Sequence, residues 1–274
     1  MFTLEDLKKN KKDTVEKILE QSGRDGVISF CSEVLDKRAY FTVDMYGNIK
    51  RKENSYIIPA AVFTESDADF IDYTVENLDF TEKTKIEKIG RMTNASIEDV
   101  KKNIFKLLSK GECHFAEKYC KELYFKDNNE FFKLMFQYAM MDNMSFEKPL
   151  AVYSLEKYFE KFGYSDEALY LTVSYLGKMR ADYHDYENAV MKEISVSKEE
   201  LREIFRKNIE RFNTKKGLEI LGYLLTLLSY NYENENRFAA VLKKKIEIFE
   251  KDFCDEEKLT GVPAQIFKCL SKEV

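Results

Sequence analysis

Apolar residues recur along this chain at the spacing of one helix face after another. Leu4 and Leu7, then Val15, Ile18 and Leu19, then Val27, Phe30, Cys31, Val34 and Leu35 repeat every three to four residues, as amphipathic helices do. The period breaks in AYFTVDMYGNIKRKENSYIIPAAVF. There Phe41, Val43 and Met45 alternate, Gly47 and Asn48 supply turn chemistry, and Tyr56 to Phe63 is rich in strand formers interrupted by Pro59. This stretch predicts the chain's one β-hairpin. Ser66 then caps a helix that runs through Phe70, Ile71 and Val75 to about Leu78. Residues 1–80 thus read as a small α+β region, and residues 81–274 as a second, helical domain.

From residue 81 the pattern stays helical to the end of the sequence. Ser96 is placed to cap a helix with Ile97, Val100, Ile104 and Leu107 turned inward. Phe131, Phe132, Leu134, Met135, Phe136 and Tyr138 crowd one helix almost all round, which predicts a central position for it. SKEELREIFRKNIERF, GLEILGYLLTLLSY, NRFAAVLKKKIEIFEKDF and PAQIFKCLSK read as four further helices, the second apolar enough to be wrapped by others. About ten helices follow residue 81 on this reading. Ten Gly and three Pro in 274 residues are too few for a low-complexity chain and favour helix.

A repeat underlies part of this run. Gly111 and Ala116 open one unit, Ala139 and Ala151 mark a second, and Leu176, Gly177 and Ala189 mark a third. Ala151 lies 35 residues after Ala116, and Ala189 a further 38 along. Over residues 97–193 this resembles the tetratricopeptide family, whose repeat of about 34 residues stacks antiparallel helix pairs with small residues where helices cross closely. The chain has no Trp, and no Pro closes the units. The resemblance implies an irregular right-handed α-solenoid with a concave surface lined by the first helix of each pair. Carried over by frame, it nominates Lys101 and Phe105, then Lys133, Phe136 and Met140, then Ser174 and Lys178 as partner-binding residues.

Composition narrows the alternatives. Five cysteines, Cys31, Cys113, Cys120, Cys254 and Cys269, include no C-x-x-C pair, so neither a disulfide framework nor a zinc ribbon is indicated. The longest apolar stretch, Ile220 to Tyr230, is about half of a membrane span, and Met1 leads directly into charged residues. A cytoplasmic location without membrane association is the expectation. The formal charge is −5, yet residues 81–111 hold eight Lys or Arg against four acids. A local basic patch is therefore available to an anionic partner.

That patch coincides with IGRMTNASIEDVKKNIFKLLSKG. Its segment 82–111 is similar to helix-turn-helix regulators, with Ile89 to Met92 ending one helix, Thr93 to Ala95 turning, and Ser96 opening the next. Lys101, Lys102 and Lys106 would then contact DNA phosphates. Glu98 and Asp99, however, occupy the first turn, where a recognition helix presents donors to base edges. They suit a helix N-terminus, with Asp99 forming a capping box with Ser96.

Other chemistry is sparser. Arg180 and His184 stand four apart in RADYHDYE and look like the Arg and His pair of helical-bundle ribonucleases; that family separates them by four to six residues, whereas here only Ala181, Asp182 and Tyr183 intervene. His114 beside Cys113 lacks a second pair of ligands, so no metal is expected. Glu65, Asp67, Asp69 and Asp72 line up acids without the turn Gly of a calcium loop. There is no Gly-rich phosphate loop, no G-x-S-x-G and no H-E-x-x-H. The leading expectation is a non-enzymatic interaction or regulatory protein, without a cofactor, whose helical-repeat groove takes a peptide or protein partner. A DNA-binding regulator and a ribonuclease using Arg180 and His184 are the alternatives.

Overall fold

The computed structural model describes residues 2–35, 41–43, 45–47, 49–51, 56–80, 88–90, 94–142, 146–178, 182–189, 196–252 and 257–274. Of residues 41–43, 49–51, 178 and 252 it describes the backbone alone. Among the described residues the protein is almost entirely helical: α1 (Leu4–Lys9), α2 (Lys11–Cys31), β1 (Phe41–Val43), β2 (Ile49–Arg51), α3 (Ile57–Phe63), α4 (Asp67–Glu76), α5 (Ile97–Ser109), α6 (Cys113–Lys126), α7 (Asn128–Met141), α8 (Lys148–Phe162), α9 (Asp166–Lys178), α10 (His184–Asn188), α11 (Lys198–Lys207), α12 (Lys215–Ser229), α13 (Glu235–Asp252) and α14 (Gly261–Leu270).

Local chemistry sets most of the helix starts. Side chains of Thr3, Ser66, Ser96, Asp127, Ser197 and Thr214 each accept the backbone N–H three residues on, which satisfies a donor that the first helical turn leaves open. At Ser96 the hydroxyl also donates to Asp99 Oδ2 at 2.7 Å. Within α2, Gly23 takes φ 68° and kinks the helix, a conformation that glycine adopts without the Cβ penalty.

Two expectations fail for identifiable reasons. Ile57–Phe63 is helix, not strand. Pro59 sits within its first turn, where the absent N–H has no intrahelical partner to lose, and the helix is buried against α8 and α14. The antiparallel partner of Phe41–Val43 is Ile49–Arg51, in the register Phe41↔Arg51, Thr42↔Lys50 and Val43↔Ile49. Met45 falls in the exposed turn between them, and Asn48 lies outside the described residues. Ile89 and Gly90, expected near the end of the first helix of the helix-turn-helix reading, are not helical. Instead Ile89 donates its N–H to Asp166 Oδ2 at 3.3 Å and accepts from Lys121 Nζ at 2.7 Å. Arg91, Met92 and Thr93 lie outside the described residues.

Consecutive helices pack on each other from α5 through α9, as in a stack of pairs. Helix α9, however, also packs on α5 and α6, whereas units of an open stack touch only their neighbours. The run is thereby drawn round on itself. Helix α8 lies innermost, with α3, α7, α9 and α12 about it; α7, expected at the centre, flanks it. Helices α3 and α4 pack on α14, and the buried side chains of residues 1–80 join those of the rest in one continuous core. The boundary near residue 80 does not divide two cores.

Two helix crossings are close enough to require glycine. A Cβ on Gly222 of α12 would stand 2.6 Å from Leu150 Cβ and 3.0 Å from its Cα. One on Gly177 of α9 would meet Cys113 Sγ at 2.7 Å. We predict that Gly222→Val lowers stability by about 1–3 kcal/mol through overpacking, while Gly90→Ala, with nothing within 4 Å of its added Cβ, leaves it unchanged. Equal thermal melting midpoints for the two variants would refute the close α8–α12 contact.

Candidate interaction surface

Most charged groups inside the protein are committed to other parts of it. Asp142, the C-cap of α7, and Lys148, the first residue of α8, form an ion pair at 2.5 Å with both side chains fully buried. An acid at a helix C-terminus and a base at an N-terminus both oppose the helix dipole, and their mutual attraction works against that cost. Asp182 N–H adds a 3.0 Å bond to Asp142 Oδ1. Burial pulls the Lys148 pKa down, and Asp142 opposes that shift. Lys121 donates to both Asp166 oxygens, at 2.9 and 3.1 Å, while Tyr164 O–H donates to Asp166 Oδ1 at 2.6 Å. Burial raises the Glu156 pKa, offset by a 2.6 Å bond from Tyr230 O–H.

Both histidines among the catalytic and metal candidates lie at the surface. His184 is exposed, with Nε2 2.9 Å from Asn188 Nδ2; Arg180 lies outside the described residues. His114 is exposed and stands edge-on to Phe115. No group of three or more metal-ligating side chains occurs among the described residues. Cys113 and Cys120 are buried, and burial holds the Cys120 thiol well above its ordinary range, which disfavours the reactive thiolate. Burial pushes Cys31 up to about 12. In the acidic stretch Ser66 caps α4, Asp67 pairs with Arg24, Asp69 accepts from Gln265 and Asp72 pairs with Lys12. Among the described residues no helix is long and apolar enough to cross a membrane.

Three of the residues nominated for a concave groove lie in the interior. Phe136 and Met140 are fully buried, with Phe136 packed on Tyr230 and Phe132. Ser174 is buried and donates to Glu117 Oε1 at 3.5 Å. Phe105 is half-buried, its ring 5.6 Å from that of Tyr138. Lys101 binds Glu130 at 2.7 Å and Glu98 at 3.3 Å, and the hydrogen bond it donates to Glu130 raises its pKa. Lys133 is half-buried, and the Lys178 side chain lies outside the description.

Exposed chemistry collects instead where α5 turns into α6. Gly111, at φ 73°, donates to Leu108 O and Glu112 donates to Leu107 O, the paired bonds of a Schellman C-cap. A Cβ on Gly111 would come within 3.2 Å of Gly177 O, so the turn rests directly on α9. The C-terminal half of α5 and the first turns of α6 thus meet at one tip. Lys106, Lys110, Glu112, His114 and Phe115 are exposed there, and Lys102 lies exposed one turn before Lys106. Phe115 is 52% exposed, with Lys118 Nζ 5.8 Å from its ring centroid, a cation–π distance. The sequence reading assigned Phe115 no role; its signal is a large aromatic opposite the buried Cys113–Ala116–Cys120 face of α6.

Two outcomes test the interior assignments. Lys148→Met should cost about 3–5 kcal/mol by stranding Asp142, with most of that recovered in Lys148→Met/Asp142→Leu; urea denaturation showing no loss in the single variant would refute the desolvated pair. Because Glu156 is shifted above its ordinary value of 4.5, the folded chain holds that proton more tightly than the unfolded chain. Its contribution to stability therefore falls as pH rises from 4.5 through the raised pKa. Glu156→Gln should remove that decline, and an unchanged pH slope of the urea midpoint would reject it. No family model matches this chain, and no curated protein or solved structure does.

Proposed function

We propose that this protein is a non-enzymatic interaction protein that engages a peptide or protein partner through the α5–α6 tip. The observation that carries the reading is Phe115, half exposed on a helix whose opposite face is fully packed, beside Lys118 and the lysines of α5. Aromatic side chains held on rigid helices make effective anchors, because little conformational freedom is lost when they are covered. The paired interior charges favour binding over catalysis, since an acid or base catalyst must reach its substrate.

A tetratricopeptide-like origin of the helix pairs fits this reading. The second helices of three successive pairs begin at Cys113, Lys148 and His184, offsets of 35 and 36 residues. The proposal moves the contact surface from a concave groove to an outer face, because the groove candidates Phe136, Met140 and Ser174 serve the core. DNA reading is less favoured: Lys101 is held by carboxylates, and Glu98 and Asp99 occupy the first turn of α5.

Panning a phage-displayed random peptide library against the purified protein tests the reading. Enriched peptides should lose about tenfold in affinity for Phe115→Ala/Lys118→Ala, with helical circular dichroism unchanged. No enrichment over an unrelated helical protein, or full binding to the double variant, would overturn it.

A further inference from the structure

Lysines of α5 and α6 fall into two sets. Lys101, Lys121 and Lys126 are each paired with a carboxylate: Glu130, Asp166 and Glu122. Lys102, Lys106, Lys110 and Lys118 have no ion pair among the described residues, and the first three are exposed. Those three recur every fourth residue on the outward face of one helix, about 6 Å apart along its axis. Within a chain of net charge −5 such an unneutralised row gives a local field of opposite sign to the whole, which selects among partners.

We propose that this row and Phe115 together bind an extended acidic peptide segment with an apolar residue at one end. This rests on the α5–α6 tip being the contact surface. In an extended chain alternate side chains share a face and stand about 6.6–6.8 Å apart. Carboxylates at every second position therefore match the spacing of Lys102, Lys106 and Lys110. Beyond Lys110 the turn leads to Phe115 and Lys118, where an apolar side chain and a final carboxylate are accommodated. A duplex backbone fits less well, because it offers no apolar group to place on Phe115, which is exposed; Glu98 and Asp99, exposed at the N-terminal end of α5, limit the row on that side for any anionic partner.

Fluorescence polarisation with the intact protein provides the test, using three labelled probes. One is a peptide of about twelve residues with Glu at alternate positions and a terminal Phe; the second carries Gln in place of each Glu; the third is a short DNA duplex. The acidic peptide should bind and weaken with added salt, and Lys102→Gln/Lys106→Gln/Lys110→Gln should reduce its affinity by about tenfold or more. The substitutions are on exposed positions, and an unchanged melting curve shows that the fold is intact. Equal binding of the Gln peptide overturns the acidic partner while leaving the interaction surface standing. Tighter binding of DNA with the same lysine dependence overturns it in favour of a nucleic acid. If no probe binds while the panned peptides do, the acidic segment is wrong and the surface stands; if neither binds, both fall.

Discussion

Helix α8 has no face left for water over most of its length, because every residue from Lys148 to Glu156 is buried. A helix enclosed on all sides needs packing elements all round it, and α3, α7, α9 and α12 supply them. Yet its sequence carries polar groups into that enclosure, and each must find a partner there, since an unpaired buried polar group is costly. Lys148 finds Asp142, Ser154 donates to Leu150 O, Tyr158 donates to Asp25 and Glu156 accepts from Tyr230. Tyr153 donates to Glu273 near the end of the sequence. Apart from the Ser154 bond, which stays within α8, each of these pairs fixes the register of a different segment against the helix. The absent side chain of Gly222 then allows α12 to close the last side.

This enclosure bears directly on the functional reading. Side chains that look available for chemistry in the sequence are consumed in holding segments together, as Lys121 and Asp166 are in pinning Ile89. The α5–α6 tip stands outside that arrangement while being firmly based. Gly111 rests against Gly177, and Ser109 Oγ lies 3.4 Å from Tyr183 Oη. Under the proposed reading, a surface supported in this way lowers the entropic cost of covering its lysines and Phe115.

Legibility in the sequence followed the range of the interaction concerned. Ser66 and Ser96 act through hydrogen bonds spanning three residues, so the helix starts they mark could be read directly. The last four helices were legible from apolar period alone. Tyr56–Phe63 was not, because a run of Ile, Ala, Val and Phe suits a buried strand and a buried helix equally. Contact with α8 and α14 decided it. The central helix was misjudged because Lys148, Glu156 and Lys157 make α8 look half solvated, whereas α7 displays its aromatics openly.

The candidate site divides along the same line. By itself the sequence determined the helical class, the cap at Ser96, the basic excess around α5 and the small residues Gly111 and Gly177, all of them local patterns of charge, size or period. Only the tertiary structure decided that Gly111 and Gly177 touch, that Phe136, Met140 and Ser174 are core, and that Lys101 is neutralised by Glu130 while Lys102, Lys106 and Lys110 are left facing outward. Burial and charge pairing join residues tens of positions apart, and no local pattern records which distant group arrives to cover or neutralise a side chain.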